Sequence, residues 1–402
     1  MRRPKTLNQI FLKASRAMGM RGLLNATRVI QRTLLNPVAG PDFSPLFRPL
    51  KAPARLRRAT PKTAKAPRPS VRAASPPVAA DPAPVEDLQV ADAAVVAEPM
   101  VAKPRKASFS ERVFTFNGER FPYRLFIPVP PAASDANSDA SQAPMPLVVL
   151  LHGCKQDAQD FARGTAMNAL AGLQGCMVLY PEQSPRSNPQ RCWNWFEPGH
   201  QQLDEGEPGM IAALTQQVLA HDYNGQRADP ERVYIAGLSA GGAMAAVVAG
   251  LYPHIFAAVG VHSGLPSGAA QDLMSAFGAM RRGARGQATP AMPTIVFHGS
   301  GDTTVHPDNG DHISAAALAA LKAAGLPLVK SRSTVGAATQ ETSTEKTVYR
   351  VPDGPTYVEH WRIDAGPHAW SGGDAAGSYT DPDGPSASAA MLSFFLQHKL
   401  KA

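Results

Sequence analysis

The most informative part of this sequence is Tyr234–Val247, "YIAGLSAGGAMAAV". An apolar run typical of a buried strand ends in Gly-Leu-Ser-Ala-Gly, and small, helix-compatible residues follow at once. This pattern predicts a strand, a sharp turn and a helix, with Ser239 on the turn. Ser239 is then either a nucleophile raised on that turn or one small residue among several. Because the motif is short, its context has to separate these two interpretations.

Charge divides the chain into two parts. Residues 1–80 contain 17 lysines and arginines and one acid, Asp42, whereas residues 81–402 contain 23 basic and 31 acidic residues. The net charge of +8 therefore originates in the first part of the chain. A basic excess confined in this way is a poor indication of nucleic-acid binding by the whole protein, so we expect no nucleic-acid partner.

Three regions follow from composition. Apolar residues at helical spacing and a polar side without acids predict a basic amphipathic arm over residues 1–36. This arm could contact a granule or membrane surface, and a plain solvated tail is the alternative. Residues 37–107 are rich in proline and alanine, which predicts a disordered linker. A catalytic domain is expected over residues 108–402.

Targeting signals are weak. No apolar run reaches 18 residues, so no transmembrane helix is expected. The first 20 residues begin with a basic region, but Lys13 and Arg16 interrupt the apolar stretch, and a standard secretory signal is not expected. The three cysteines, Cys154, Cys176 and Cys192, are too few for a disulfide scaffold and allow at most one bridge.

From residue 108 onward, strand-like and helix-like segments alternate. Short Val/Ile/Leu strands between helices predict the α/β class, with a mostly parallel sheet covered by helices on both faces. The expected strands are 123–129, 146–153, 177–181, 233–237, 257–264 and 294–299, followed by a hairpin-like pair at 346–351 and 356–364. The expected helices are 159–172, 208–222, 239–251, 312–324 and 386–399.

The residue types that activate a serine follow Ser239 in the chain. A serine hydroxyl needs a base to take its proton and an acid to orient that base. Asp302 comes just after the strand-like "TIVFHG", and His368 lies in "AGPHAWSGG" after a later strand. The order Ser, Asp, His is that of α/β-hydrolases, and the ends of parallel strands lie at one edge of the sheet.

Other residues could take these roles. Asp308 and Asp311 are rival acids, but they lie further from the strand end. His360 is a rival base in the middle of a strand. A turn aspartate and a loop histidine without chemistry are the plain alternatives for Asp302 and His368.

An oxyanion hole needs two backbone amides. The first candidate is Ala240, at the start of the helix after Ser239, and the second is Cys154, in "VVLLHGC" after an early strand. His152 is interpreted as a residue that shapes this loop. Trp193 and Trp195 are candidate substrate-binding residues, of which we expect one to line an acyl or aryl subsite and one to pack in the core. Residues 265–292, between two strands, are a candidate lid or substrate-shaping insertion.

Four motifs together resemble one family. They are "LHGCKQDAQDFARGTAMNALA", "YPEQSPRSNPQRCWNWFEPGHQ", "VYIAGLSAGGAMAAVVAGLYPHIFAAVGVHSGLP" and "AGPHAWSGG". In order and spacing they resemble the polyhydroxybutyrate (PHB) depolymerase family of esterases, over about residues 108–400. The resemblance implies an α/β-hydrolase fold, a triad of Ser239, Asp302 and His368, and oxyanion donation by Cys154 and Ala240.

The same resemblance implies a disulfide between Cys154 and Cys192, with Cys176 buried and free; two reduced cysteines are the alternative. One position departs from the family pattern. Pro367 stands directly before His368, where the family usually has glycine, so the His368 loop is expected to differ in shape.

The function expected from these observations is a serine carboxylic-ester hydrolase, and the resemblance implies 3-hydroxyalkanoate esters or oligomers as substrates. A feruloyl or acetyl-xylan esterase and a non-catalytic granule- or surface-binding protein are the alternatives. No zinc-ligand spacing and no phosphate-binding glycine loop is present, so neither metal nor cofactor is expected. The resemblance implies an extracellular location, with a cytoplasmic one as the alternative, and the sequence gives no indication of oligomeric state.

Overall fold

A ten-stranded sheet runs through the residues that the computed structural model describes, which are 106–129, 143–335 and 343–400. The strands are β1 (Ser108–Phe116), β2 (Glu119–Ile127), β3 (Met145–Leu151), β4 (Met177–Pro181), β5 (Ala228–Leu238), β6 (Ala258–His262), β7 (Thr294–Gly299), β8 (Val329–Val335), β9 (Thr344–Arg350) and β10 (Thr356–Ile363). Their order across the sheet is β1-β2-β4-β3-β5-β6-β7-β10-β9-β8. A separate two-stranded pair joins β11 (Trp370–Ser371) and β12 (Thr380–Asp381).

The centre of the sheet is parallel. All pairs from β4 through β3, β5, β6 and β7 to β10 are parallel, and the pairs at the two edges are antiparallel. Every residue of β3, "MPLVVLL", is buried. Such an unbroken apolar strand is typical of a sheet covered on both faces. The expected α/β class with a mostly parallel sheet is confirmed.

Seven α-helices cover this sheet within the described ranges. They are α1 (Ala158–Thr165), α2 (Met167–Gln174), α3 (Gly206–Ala220), α4 (Ala240–Leu251), α5 (Leu273–Arg282), α6 (Asp308–Ala323) and α7 (Ala387–Phe395). Successive side chains of β3 enter different core clusters: Leu147 and Val149 pack with α3 and α4, whereas Val148 and Leu150 pack with α1, α2 and α7. Because successive strand residues point to opposite faces, helices cover both sides of the sheet.

Three local differences from the sequence expectations have physical causes. The helix expected over 159–172 is two helices, because Ala166 adopts φ 51° and interrupts the helical path. Strand β8, "VKSRSTV", is largely exposed and lacks the apolar pattern that marks a buried strand. Strand β1, "SFSERVFTF", was also not expected, because about half of its residues are polar and it too lacks the pattern of a buried strand.

The first described strand begins at Ser108. The arm expected over residues 1–36 lies outside the described residues, as does the linker expected over 37–107 except for its last two residues. Within the described part of the chain, no helix combines the length and the apolar character needed to cross a membrane.

Candidate active site

Ser239 lies on a sharp turn between β5 and α4. Its backbone has φ 58° and ψ −120°, a conformation that residues other than glycine rarely adopt. The Ser239 amide donates to the carbonyl oxygen of His262, at 2.9 Å, at the end of the neighbouring strand β6. The strand–turn–helix expected from the sequence is therefore present, and it is a strained turn held by the sheet.

Glycines on either side of Ser239 let α4 approach the sheet closely. A Cβ atom added at Gly241 would overlap the carbonyl groups of Leu151 and His152, and one at Gly237 would overlap the backbone of Gly241. Side chains at these two positions would therefore force the backbone apart. The small residues bring the end of β3 directly against the turn that carries Ser239.

Ser239, His368 and Asp302 form a continuous hydrogen-bonded chain. The Nε2 atom of His368 lies 2.9 Å from Oγ of Ser239, and its Nδ1 atom lies 2.6 Å from Oδ2 of Asp302. The three residues follow β5, β10 and β7, whose carboxyl ends meet at one edge of the sheet. Because a carboxylate can only accept, Nδ1 carries the proton, and Nε2 is left to accept from the serine hydroxyl.

Asp302 is held as an ionised acceptor. Its Oδ1 atom accepts from the amides of Thr304, at 2.9 Å, and Val305, at 2.8 Å, and Nε2 of His298 lies 3.4 Å from Oδ2. Burial by itself would raise the pKa of Asp302, but the contacts with His298 and His368 and the Val305 amide hold that pKa well below its usual value. A charged carboxylate therefore faces His368.

The rival residues lie elsewhere. Asp308 is the first residue of α6, with a side chain about half exposed. Asp311 contacts Arg362 at 3.3 Å and His360 at 3.7 Å. Burial lowers the pKa of His360 to about 4. In the described residues, none of the rival side chains makes a hydrogen bond to Ser239.

The two candidate oxyanion amides, of Cys154 and Ala240, lie on adjoining backbone segments. A Cβ atom added at Gly153 would lie 3.5 Å from the carbonyl oxygen of Leu238, so the Cys154 loop packs against the turn. Neither amide has a hydrogen-bond acceptor among the described residues. Unpaired backbone donors at the start of a helix and beside a nucleophile are suited to binding an oxyanion.

His152 shapes this loop, as the sequence suggested. The ring is fully buried, and its Nε2 atom accepts from the Gln183 amide at 3.0 Å. The proton is therefore on Nδ1, which donates to the carbonyl oxygen of Gly153 at 2.8 Å. Burial lowers the pKa of His152 to about 4, so the ring is neutral at pH 7.

Glu207 supports the same region and was missed by the sequence analysis. This buried carboxylate accepts from the backbone amide and the side-chain amide of Asn194, each at 2.7 Å, and from Nε2 of Gln183 at 2.5 Å. In the sequence, Glu207 is an acid in the first turn of a helix, which is the usual place for a solvated acid. Only the burial of its side chain distinguishes Glu207 from such a solvated acid.

Cys154 and Cys192 form a disulfide, as the family resemblance implied. Cys176 is buried and free, and burial raises the pKa of its thiol to about 12. The bridge joins the loop that carries the Cys154 amide to the segment held by Glu207. One candidate oxyanion donor is thereby fixed both covalently and by hydrogen bonds.

The expectation for the two tryptophans needs correction. Trp193 is 0% exposed, and its Nε1 donates to the carbonyl oxygen of His152 at 3.1 Å. Trp195 is 5% exposed and packs edge-on against Phe196. Alternation along an extended segment suggested that one indole would face a substrate, but both are in the core because the segment folds back on the sheet. Neither has an open face for a ligand in this structure.

The segment 265–292, a candidate lid, contains α5. It is anchored to the Asp302 side of the site by Asn309, whose Nδ2 donates to the carbonyl oxygen of Ala279 at 3.0 Å and whose Oδ1 accepts from the Ala284 amide at 3.1 Å. Met274, on the outer face of α5, is 64% exposed. The function of this segment as a lid stays a prediction.

Pro367 lies in a turn that neighbouring backbone groups close. The carbonyl oxygen of Pro367 accepts from the Ala369 amide at 2.9 Å, and that of Gly366 accepts from the Gly301 amide at 3.1 Å. The missing proline amide is therefore not needed to close this turn.

Comparison with known proteins gives one family and several named relatives. The family described as Esterase PHB depolymerase matches residues 133–328. Poly(3-hydroxyalkanoate) depolymerase C of Paucimonas lemoignei is 36% identical over 179 residues, which are 41% of this chain and 42% of the relative. Feruloyl esterase B of Thermothelomyces thermophilus is 31% identical over 182 residues, 40% of this chain and 60% of the relative. A probable acetylxylan esterase A of Aspergillus fumigatus is 30% identical over 184 residues, 40% of this chain and 48% of the relative.

The chain thus spans between 42% and 60% of the length of these three relatives. The matched region contains Ser239, Asp302, both cysteines of the bridge and the candidate oxyanion residues. The sheet and helices described above are those of an α/β-hydrolase. Residues 133–328 of this chain match the PHB depolymerase family of esterases, and the fold around them is that of the α/β-hydrolase superfamily.

Proposed function

We propose that this protein is a serine carboxylic-ester hydrolase. The observation that carries the proposal is the hydrogen-bonded chain from Ser239 Oγ through His368 to buried Asp302, with distances of 2.9 and 2.6 Å. Nucleophile, base and orienting acid in this arrangement perform acyl transfer on several unrelated folds. A non-catalytic binding protein would have no need of the strained turn or of the ionised buried acid.

The first half of the reaction forms an acyl-enzyme. His368 Nε2 takes the proton from Ser239 Oγ while that oxygen attacks the ester carbonyl. The negative charge develops on the carbonyl oxygen, where the amides of Cys154 and Ala240 donate to it. His368 then gives the proton to the departing alcohol, and the carbon–oxygen bond to that alcohol breaks.

The second half repeats this sequence with water. His368 takes a proton from water, whose oxygen attacks the acyl carbon, and then returns the proton to Ser239 as the acid leaves. Asp302 keeps the proton on Nδ1 of His368 and stabilises the imidazolium that forms in each half. The buried, multiply hydrogen-bonded carboxylate is suited to this role because its orientation is fixed before the reaction begins.

The labelling of Ser239 tests this mechanism. A fluorophosphonate probe should label the intact protein, and Ser239→Ala should abolish both labelling and hydrolysis of p-nitrophenyl butyrate. Ser393→Ala is the matched control, since this substitution also removes a serine hydroxyl but lies at an exposed position on α7. Equal labelling of Ser239→Ala and the intact protein would contradict the proposal.

The proposed substrates are 3-hydroxyalkanoate esters, of the hydroxybutyrate type, or their oligomers. The support is the matched family and the depolymerase relative at 36% identity. A feruloyl or acetyl-xylan ester is the second candidate, because relatives with those names are 31% and 30% identical. A panel of hydroxybutyrate oligomers, methyl ferulate, acetylated xylan and p-nitrophenyl esters of rising chain length separates them. A kcat/KM higher for methyl ferulate than for the oligomers would reject the first candidate.

We propose that the protein functions outside the reducing cytoplasm. The bridge between Cys154 and Cys192 supports this, since structural disulfides persist in oxidising compartments. Cell fractionation combined with thiol alkylation is the test. Recovery of the protein in the cytoplasmic fraction with both cysteines alkylated would contradict it.

Contact of residues 1–36 with a granule or membrane surface is a further expectation, tested by sedimentation with granules before and after removal of these residues.

A further inference from the structure

His262 is a buried histidine that the mechanism above does not use. It is the last residue of β6 and is 0% exposed. Its ring stacks between Phe297, at 5.6 Å between ring centroids, and Trp370, at 5.1 Å. A phenylalanine would fill this stack without the cost of burying a polar ring. The ring nitrogens therefore need their own explanation.

The ring and the backbone of His262 contact different parts of the candidate site. Its Nε2 atom accepts from the Ser371 amide at 3.0 Å, three residues after His368. Its carbonyl oxygen accepts from the Ser239 amide at 2.9 Å. One residue thus joins the turn that carries the nucleophile to the loop that carries the base, although 129 residues separate Ser239 from His368.

The hydrogen bonds determine the tautomer of the ring. An amide can only donate, so Nε2 of His262 is unprotonated and the proton is on Nδ1, which donates to Oγ of Ser263 at 3.2 Å. Burial lowers the pKa of His262 to about 3, and the positive charges that His298 and His368 can carry act in the same direction, against a smaller opposite effect of Asp302. The ring stays a neutral acceptor at neutral pH.

We propose that His262 is a positioning residue for the triad, which holds the His368 loop in register with the Ser239 turn through its Nε2 atom. This inference rests on the proposed function. It gives the His368 loop an attachment to β6 through the Ser371 amide, in addition to the bond of His368 to Asp302. Without it, the loop keeps its stacked neighbours but loses its backbone hydrogen bond to His262, the residue whose carbonyl oxygen accepts from the Ser239 amide.

Three variants test this proposal. His262→Phe keeps the stack and removes the acceptor, and His262→Gln supplies an amide oxygen near the position of Nε2. The matched control is His398→Phe, because His398 is also buried and its Nε2 also bonds to a backbone group, the carbonyl oxygen of Thr356 at 2.7 Å. The Thr356 contact lies at the opposite end of β10 from the His368 loop.

Two readouts apply to each variant: kcat and KM for p-nitrophenyl butyrate per folded enzyme, and hydrogen–deuterium exchange of peptides covering 366–379. In His262→Phe, kcat should fall by about 10- to 100-fold with little change in KM, since misplacement of a catalytic group by about 1 Å has effects of this size. Exchange of the 366–379 amides should become faster. His262→Gln should recover part of both effects, and His398→Phe should lower thermal stability alone.

The proposal is overturned if His262→Phe and His398→Phe have the same kcat per folded enzyme. It is also overturned if hydrogen–deuterium exchange at 366–379 is unchanged in His262→Phe. Failure of the proposed function gives a different result. The unmodified protein would then hydrolyse no ester and take up no fluorophosphonate, and the exchange measurement alone would decide whether His262 holds the loop.

Discussion

The two sides of the candidate site are built in different ways. The nucleophile side is local: Gly237, Ser239 and Gly241 lie within five residues, and their backbone conformation and small size produce the turn. The oxyanion side depends on residues distant in the chain, because the Cys154 loop is held by a disulfide to Cys192 and by buried polar groups. One half of such a site can therefore be encoded in a short motif while the other half depends on the assembled fold.

The largest effect is expected from removing the charge of Asp302, the residue that orients His368 beside the nucleophile. Asp302→Asn should lower kcat by about 10⁴-fold, because the amide can donate to Nδ1 of His368 and favours the wrong tautomer. The variant should still fold, since an amide oxygen can accept from the Thr304 and Val305 amides as Oδ1 of Asp302 does. Steady-state kinetics measures this loss, and Asp308→Asn, at an exposed residue in the first turn of α6, is the control that should retain activity. Similar kinetics for the two variants would exclude Asp302 as the orienting acid.

Breaking the bridge tests the oxyanion side by itself. Replacing Cys154 and Cys192 with serine together should lower the free energy of unfolding by about 4 kcal/mol, for a bridge that spans 38 residues of sequence. Denaturation in urea gives this value, and kcat should also fall because the Cys154 amide is less well placed. Cys176→Ala, which affects no bridge, should leave kcat unchanged. Full activity without the bridge would show that the polar groups alone hold this loop.

One glycine tests the nucleophile side. Gly241→Ala should lower the free energy of unfolding by about 1–3 kcal/mol, because its Cβ would overlap the backbone at the end of β3. Gly250→Ala lies in the same helix with open space around it and should be neutral or stabilising. Chemical denaturation of both variants measures the difference. Equal losses of stability in the two variants would contradict the idea that the glycine at 241 is needed for α4 to approach the sheet.

Acid should loosen the oxyanion side through His152. Its folded-state pKa is lowered to about 4 from an ordinary value of 6.5, so the unfolded chain binds more protons between these values. This contribution is present above pH 6.5 and is lost as the pH falls towards 4, with about 1 kcal/mol lost between pH 6.5 and 5.5. Thermal melts of the protein and of His152→Gln, taken from pH 7 to 5, measure it. An equal pH dependence in both would contradict the assignment to His152.

Much of the architecture could be predicted because it depends on local patterns. The unbroken apolar run of β3 indicated a buried parallel strand, and each residue of the hydrogen-bonded chain was identified from its place after a strand. Strand β8 could not be predicted, since its residues are exposed and carry no apolar alternation. The burial of Trp193 and Trp195 was also beyond the pattern, because it depends on how their loop folds onto the sheet.

The amino-acid sequence was sufficient for the strand–turn–helix around Ser239, for the order of the candidate nucleophile, acid and base, and for the α/β class, since each depends on local patterns and their order along the chain. Only the tertiary structure revealed that Glu207 and His262 contact segments of the candidate site. Each is an ordinary residue in its own segment and acquires its role from groups that lie far away in sequence. Burial then decides the charge of His262, and its hydrogen-bond partners decide its tautomer.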